Sequence, residues 1–357
     1  MTNQSHMKKL IFFTLIIMTL AFAGCQQEKP DYGTGIRPDG PSYKPKDCVF
    51  QVRGLGNSSA GEDDADRYAS FKFTKYGPLS SKPINVFYYI PKSGDVATMP
   101  VLFSFTGAER DGNTQLNAWK NFADTYEFIV INPQFPKTYW SESEYQFCGV
   151  TESKASDVIL ESQYWTGNVI ESLFDYWLME TDGQQTGYRM FGHSAGAQFV
   201  GRMIATTPDA RVISAVAANP SSWPWPTELK AKDGSSYGWP YSLTVLPMMS
   251  DPEYLTKVFG KKLFVQIGQD DTGTDSLDQS DAAKAQGSRR YHRAKNFYQT
   301  CTEVAQQKGI QCNYELAEVE GVGHSTFHMV YGYYKPTAAN VKEEQLGPNS
   351  AFLLLFQ

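Results

Sequence analysis

The sequence lacks a basic cluster of the kind that nucleic-acid-binding proteins display. It carries 32 lysines and arginines against 38 aspartates and glutamates, which gives a formal net charge of −6 at pH 7. After the first residues, its adjacent basic residues are only Lys261-Lys262 and Arg289-Arg290, which we expect to be solvated surface pairs. Proteins that bind nucleic acid usually present a basic patch or stripe. The composition therefore excludes nucleic acid as the expected partner.

Cysteine is scarce and never occurs at metal-binding spacing. The five cysteines include no Cys-x-x-Cys, which argues against a zinc ribbon and against a thioredoxin-type redox site. Asp275, Asp278 and Asp281 do not match the spacing of an EF-hand, so we interpret them as a solvated acidic loop. We predict no metal and no organic cofactor.

The apolar run near the N-terminus is not long enough for a typical membrane-spanning helix. The apolar run at residues 10–23 is shorter than the ~20 residues that a spanning helix needs. It follows Lys8-Lys9 and ends in Phe22-Ala23-Gly24-Cys25, the pattern of a secretory signal peptide with a bacterial lipoprotein processing site. We predict a signal peptide at 1–24, lipidation of Cys25 and a flexible tether at 25–46 that is rich in proline and glycine. An uncleaved signal anchor is the alternative.

These features predict an exported lipoprotein, anchored to a membrane at the outer membrane, in the periplasm or at the cell surface. Export would leave four cysteines besides Cys25, and an even number suggests disulfides in an oxidising compartment. Cys301 and Cys312 form the first expected pair, at the end of a predicted helix and the start of a predicted strand. Cys48 and Cys148 follow by elimination. Four free buried thiols are the alternative.

Strand-like and helix-like patterns alternate through the rest of the chain. Such alternation implies a mostly parallel sheet that is flanked by helices. We find no internal repeat, and we predict a single α/β domain over 47–357 with an aromatic-rich loop insertion at about 221–259, before the penultimate strand. The predicted strands cover residues 71–73, 84–90, 101–105, 128–131, 187–191, 212–218, 262–267 and 314–319, and the predicted helices cover 115–126, 168–180, 197–205 and 290–308.

The sharpest motif is Gly192-His193-Ser194-Ala195-Gly196. It lies between a strand-like run and a helix-like run that begins at Ala197. In that context Gly-x-Ser-x-Gly makes a very tight turn that holds the serine in a strained conformation above the sheet. A glycine-rich turn without chemistry is the alternative. We predict that Ser194 is a nucleophile.

A serine hydroxyl needs an adjacent base, which in this arrangement follows the serine in the order serine, acid, histidine. His324 lies just past the last predicted strand, where a turn can bring it back over the sheet. The other histidines after the motif are expected on helices. The acid should follow the strand at 262–267, where Asp270 and Asp271 both fit and the pattern does not separate them.

An oxyanion hole is the remaining requirement for acyl transfer. One donor would be the backbone N–H of Ala195, directly after the nucleophile. The second should come from the loop that follows the strand at 101–105, and we assign it to the N–H of Ala108.

These motifs resemble the α/β-hydrolase superfamily, and within it the bacterial esterases grouped with polyhydroxybutyrate depolymerases and with feruloyl or acetylxylan esterases. In the Gly-x-x-Asp pattern of that family the acid falls on Asp271. The family usually has His-Gly where this chain has Thr106-Gly107. The resemblance implies a serine esterase with the triad Ser194, Asp271 and His324. It covers about residues 99–324 and rests on residues 106–107, 132–136, 192–198, 268–272 and 321–324.

The aromatic insertion bears on the substrate. Trp223, Trp225, Trp239 and Tyr241 would form a cap that stacks on sugar rings or on an aromatic acyl group, with ordinary packing as the alternative. Such a cap suits glycan-linked acetyl or feruloyl esters, or polyesters. Two other functions stay open: a serine peptidase or amidase, and a non-catalytic glycan-binding lipoprotein that has kept the fold.

Overall fold

Apolar segments of the chain build a nine-stranded sheet in the computed structural model, which describes residues 48–49, 68–333 and 346–357. The strands are β1 (Cys48–Val49), β2 (Tyr68–Phe73), β3 (Ile84–Tyr89), β4 (Val101–Phe105), β5 (Ile129–Gln134), β6 (Tyr188–His193), β7 (Val212–Ala218), β10 (Leu263–Gly268) and β11 (Tyr314–Val319), while β8 (Leu229–Lys230) and β9 (Ser236–Tyr237) form a separate hairpin. The strand order is β1-β2-β3-β5-β4-β6-β7-β10-β11.

Most neighbouring strands are parallel. Each pair from β5 to β11 along this order is parallel, whereas β1, β2 and β3 pair antiparallel with their neighbours. Every residue of β4 and β10 is buried, as expected for strands that are covered on both faces. The predicted mostly parallel sheet is therefore confirmed.

Helices cover both faces of the sheet. They are α1 (Gly112–Tyr126), α2 (Glu142–Gln146), α3 (Gly167–Thr181), α4 (Ala195–Thr206), α5 (Tyr254–Gly260), α6 (Asp281–Gln286), α7 (Arg290–Lys308), α8 (Thr326–Tyr331) and α9 (Ala351–Phe356). Helices α3, α4 and α7 contribute to one hydrophobic cluster, and α1, α8 and α9 contribute to the other. Strand β4 divides its side chains between the two, with Phe103 and Phe105 in the first cluster and Leu102 in the second.

The segment between β7 and β10 is packed onto the domain. Trp223 is fully buried and stacks on Phe297 of α7, with ring centroids 4.4 Å apart. The buried guanidinium of Arg202, on α4, donates to the carbonyl of Pro240 at 2.9 Å. Trp239 donates its indole N–H to a backbone carbonyl at 3.1 Å. These contacts fix the insertion against α4 and α7.

The predicted disulfides do not form. Cys148, Cys301 and Cys312 are all free thiols, so the pairs Cys301–Cys312 and Cys48–Cys148 are both wrong for this structure. Cys148 instead donates to the carbonyl of Phe199 at 3.6 Å. Burial raises the pKa of the Cys148 thiol to about 12, so this thiol acts as a small apolar group in the core. An even number of cysteines therefore does not specify pairing here.

The N-terminal predictions fall outside the described residues. This applies to the signal peptide at 1–24, to Cys25 and to the tether at 25–46. Within the part of the chain that the structure describes, no helix combines the length and the apolar character that a membrane span requires.

Replacing Trp223 with alanine should lower the free energy of unfolding by about 3–5 kcal/mol, because it empties a fully buried site. Chemical denaturation measures this difference. The control is Val245→Ala in the same insertion, which should change stability by less than about 0.5 kcal/mol because Val245 is 44% exposed. Equal small effects in both variants would show that Trp223 contributes little to the core.

Candidate active site

Ser194 occupies a strained turn between β6 and α4. Its φ and ψ angles are 57° and −115°, in a region that residues other than glycine rarely adopt. The motif glycines permit this turn. A Cβ atom on Gly192 would lie 2.2 Å from the carbonyl oxygen of Gly196, and one on Gly196 would lie 2.3 Å from that of Phe105. Only glycine fits at both positions without moving the backbone.

A chain of hydrogen bonds leads away from the serine. The Oγ atom of Ser194 lies 3.0 Å from Nε2 of His324, and Nδ1 of His324 lies 2.7 Å from Oδ2 of Asp271. Asp271 is 2% exposed, whereas Asp270 is exposed to solvent. The structure thus brings the three predicted side chains together and places Asp271, rather than its neighbour, against the histidine.

Backbone contacts join the loops that carry the acid and the histidine. The N–H of Asp270 donates to the carbonyl of Val322 at 3.0 Å. Asn219, fully buried at the end of β7, accepts from the N–H of Gly268 at 2.8 Å and donates to the carbonyl of Gly323 at 3.2 Å. One amide side chain therefore holds both loops, and sequence reasoning missed it.

The predicted oxyanion donors lie near the serine. Ala195 is the first residue of α4, so its N–H has no acceptor within the helix. A Cβ atom on Gly107 would lie 4.0 Å from Cβ of Ser194, which places the loop after β4 beside the nucleophile. Ala108 lines the same cleft as Ser194. Both segments therefore border the cleft beside Ser194.

Buried side chains hold the loop after β4 in place. The hydroxyl of Tyr145 donates to the carbonyl of Thr106 at 2.7 Å, and Arg110 donates to the carbonyl of Phe135 at 2.6 Å. The guanidinium of Arg110 also lies 4.1 Å from the centroid of the Tyr145 ring, within cation–π range. Thr106 is thus part of a loop that buried side chains hold through hydrogen bonds.

His193 packs directly against His324, the histidine in the chain of hydrogen bonds that starts at Ser194. Its ring centroid lies 4.5 Å from that of His324, and the side chain is 5% exposed. Burial, with smaller contributions from His324 and Arg290, lowers the pKa of His193 well below 6.5. His193 is therefore neutral at pH 7 and adds no positive charge beside His324.

Arg290 corrects the interpretation of the Arg289-Arg290 pair as solvated surface. It is the first residue of α7 and is 1% exposed. Its Nη1 atom lies 3.2 Å from Oδ1 of Asp271, and its Nη2 atom donates to the carbonyl of Asp275 at 2.7 Å. Its position at a helix start soon after the acidic loop is the only signal that the sequence offered.

The serine opens onto a cleft of about 620 Å³. Loops after β4, β10 and β11 line it, as the carboxyl ends of neighbouring parallel strands commonly do for ligands in open α/β sheets. Its lining includes four exposed carboxylates: Glu109, Asp111, Asp270 and Asp275. A serine that can pass its proton to a histidine held by a buried carboxylate is equipped to attack a carbonyl carbon.

Two solved structures are similar to this chain over most of their length. Poly(aspartic acid) hydrolase-1 from Sphingomonas sp. KT-1 is 28% identical, with a TM-score of 0.65, over 72% of this chain and 94% of the other. The poly(3-hydroxybutyrate) depolymerase LpqC from Bordetella parapertussis is 24% identical, with a TM-score of 0.63, over 72% and 84% of the two chains.

The chain has the α/β-hydrolase fold. Together with its similarity to these enzymes, this classes it as a hydrolase. No protein-family model and no curated relative matches the chain.

The aromatic side chains of the insertion do not cap the cleft of this hydrolase. Trp223, Trp239 and Tyr241 are buried, Trp225 is partly buried, and none of the four lines the cleft. The predicted aromatic cap is therefore wrong, because these rings complete the core under the insertion. Among the described residues, no group of three or more histidine, cysteine, aspartate or glutamate side chains is placed to hold a metal ion.

Replacing Asp271 with asparagine should slow the reaction of Ser194 with a fluorophosphonate probe by roughly 1,000-fold or more. The amide would donate to Nδ1 of His324 and leave Nε2 protonated, so that Nε2 could not accept the proton of Ser194. The control is Asp270→Asn, which should react within about twofold of the wild type because Asp270 is exposed. Circular dichroism would verify folding, and equal losses in both variants would contradict the assignment.

Proposed function

We propose that this hydrolase is a serine carboxylic-ester hydrolase that works through an acyl-enzyme. The observation that carries the proposal is the unbroken chain of hydrogen bonds from Ser194 through His324 to the buried Asp271. The position of Ser194 at a strained turn beside the predicted oxyanion loop supports the same conclusion.

The reaction divides into two acyl transfers. As the Ser194 oxygen attacks the ester carbonyl carbon, Nε2 of His324 accepts the hydroxyl proton and Asp271 stabilises the resulting imidazolium. The N–H groups of Ala195 and Ala108 donate to the oxyanion. His324 then protonates the departing alcohol, which leaves an acyl group on Ser194. Water, deprotonated by His324, attacks this acyl group, and as the bond to the Ser194 oxygen breaks, His324 returns the proton to that oxygen and the carboxylic acid leaves.

The cleft suits a polymeric or oligomeric ester. It is open, and nothing among its described lining residues forms an aromatic platform for a sugar or feruloyl ring. The two similar enzymes are named for polymers, one joined by esters and one joined by amides. We therefore rank polyesters and glycan-linked acetyl esters above feruloyl esters.

The charge of the cleft further distinguishes neutral polymers from polyanions as candidate substrates. The exposed carboxylates of the cleft face solvent, whereas the buried Arg110 and Arg290 are bonded to groups of the protein itself. A negative cleft repels a polyanion and accepts a neutral chain. The proposed substrate is therefore neutral, in contrast to poly(aspartic acid).

Hydrolysis of amides is the second candidate, because the same triad cleaves amides and one similar enzyme is a poly(aspartic acid) hydrolase. A glycan-binding protein without catalysis is the third. The intact hydrogen-bond chain at Ser194 favours an enzyme over this alternative.

The deciding experiment compares the wild type with Ser194→Ala. We expect the wild type to hydrolyse p-nitrophenyl butyrate and to be labelled by a fluorophosphonate, and the variant to do neither. A matched panel follows, with 3-hydroxybutyrate oligomers, acetylated xylan, an amide analogue and poly(aspartic acid). Faster cleavage of the amide than of the matched ester would establish the second candidate. A folded wild type that is not labelled would contradict a serine mechanism and favour glycan binding.

The leader sequence supports a membrane-anchored location. Lys8-Lys9, the apolar run and Phe22-Ala23-Gly24-Cys25 fit export followed by acylation of Cys25. The tether at 25–46 would then hold the domain away from the membrane. Mass spectrometry of the N-terminal peptide should find a diacylglyceryl cysteine, and Cys25→Ser should move the protein to the soluble fraction. An unmodified Cys25 in the mature protein would contradict the anchor.

A further inference from the structure

Arg290 is a fully buried cation at the floor of the cleft, and the serine mechanism described above does not use it. Its side chain is 2% exposed, like that of Asp271, and both line the cleft. A charge removed from water in this way is costly unless it is paired and hydrogen-bonded. Solubility, which a surface arginine would favour, therefore does not explain why Arg290 is buried here.

Asp271 divides its two oxygen atoms between two donors. Oδ2 accepts from Nδ1 of His324 at 2.7 Å, and Oδ1 accepts from Nη1 of Arg290 at 3.2 Å. A carboxylate with only the first bond could rotate about χ2 and exchange its oxygens. The second bond removes that freedom, because both oxygens have fixed partners.

Arg290 is itself anchored on its other side. Its Nη2 atom donates to the carbonyl of Asp275 at 2.7 Å, and its backbone begins α7. The rigid, planar guanidinium thus spans the acidic loop from Asp271 to Asp275. A lysine side chain carries the same charge but lacks the fork that reaches both acceptors at once.

We infer that Arg290 is a positioning residue for the proposed reaction, which holds the carboxylate of Asp271 turned toward His324. It acts through Asp271 and does not touch the reacting atoms. The inference rests on the proposed function for its kinetic consequences, but the contact between Asp271 and His324 exists whether or not the substrate is an ester.

The experiment compares Arg290→Met and Arg290→Lys with the wild type. The matched control is Arg289→Met, since Arg289 is the neighbouring residue and its side chain donates to the carbonyl of Ser288 rather than to Asp271. With p-nitrophenyl butyrate, Arg290→Met should lower kcat roughly 10- to 100-fold and leave KM within about twofold. Arg290→Lys should lose less, and Arg289→Met should match the wild type.

A spectroscopic readout separates positioning from a general loss of structure. The low-field proton resonance of His324 Nδ1, assigned by its absence in His324→Ala, should shift upfield or disappear in Arg290→Met and persist in Arg289→Met. An unchanged kcat together with an unchanged resonance in Arg290→Met would overturn the inference. So would a raised KM with an unchanged kcat, since that would make Arg290 a substrate-binding residue.

Two further arms keep the result decisive. If Arg290→Met does not fold, Arg290→Lys decides, and wild-type kcat with a wild-type resonance in that variant would overturn the inference. If the wild type shows no hydrolysis that depends on Ser194, the proposed function fails. The resonance still tests whether Arg290 holds Asp271 against His324.

Discussion

The close approach of backbone segments at the turn after β6 is the constraint on which the rest of the site depends. Ser194 keeps its strained φ angle because its N–H donates to the carbonyl of Ala218 at 2.9 Å and its carbonyl accepts from the N–H of Gln198 at 3.1 Å. These bonds attach the turn to β7 on one side and to α4 on the other. The strain is sustained by the sheet, and its result is a hydroxyl that projects into the cleft.

Parallel strands explain how residues far apart in sequence meet at that hydroxyl. Strands β6, β7, β10 and β11 are neighbours in the sheet and all end at the same edge. The serine follows the first, Asn219 the second, the acid the third and the histidine the fourth. Asn219 bridges the last two loops, so the histidine and its acid are fixed relative to each other before a substrate arrives.

The sequence was sufficient for the strands of five residues or more, for the four longest helices, and for the three side chains at the centre of the site, but it did not predict the two-residue strands or the short helices. Buried parallel strands are continuous apolar runs, and the strand at 101–105 is of this kind. The strands at 212–218 and 314–319 were also predicted at their observed bounds. The serine motif has steric requirements that are visible in its glycines. The order serine, acid, histidine then left few candidates, the resemblance to a known family implied Asp271 rather than Asp270, and the structure buries Asp271 against the histidine.

The sequence could not show which way a side chain points, because that depends on packing and not on the type of residue. Tryptophan and tyrosine in the insertion are equally compatible with a cap and with a core, and only packing shows that Trp223 stacks on Phe297. Two adjacent arginines differ in the same way, because Arg289, just before α7, is partly exposed and Arg290 is buried against Asp271. Asn219 belongs to none of the sequence motifs, so the sequence did not indicate its role.

The inward turn of that arginine also determines what a substrate meets. Both arginines of the cleft lining are buried and bonded to the protein, Arg110 to the carbonyl of Phe135 and Arg290 to Asp271. Among the described residues, no buried cation pairs with the exposed carboxylates, and the salt bridge of Glu109 with Lys137 is exposed and weak. Arg290 therefore pairs with Asp271 inside the protein, and the exposed charged side chains among the described residues of the cleft lining are carboxylates. A chain that is neutral where it crosses Ser194 meets no repulsion, whereas a polyanion meets it at every exposed carboxylate.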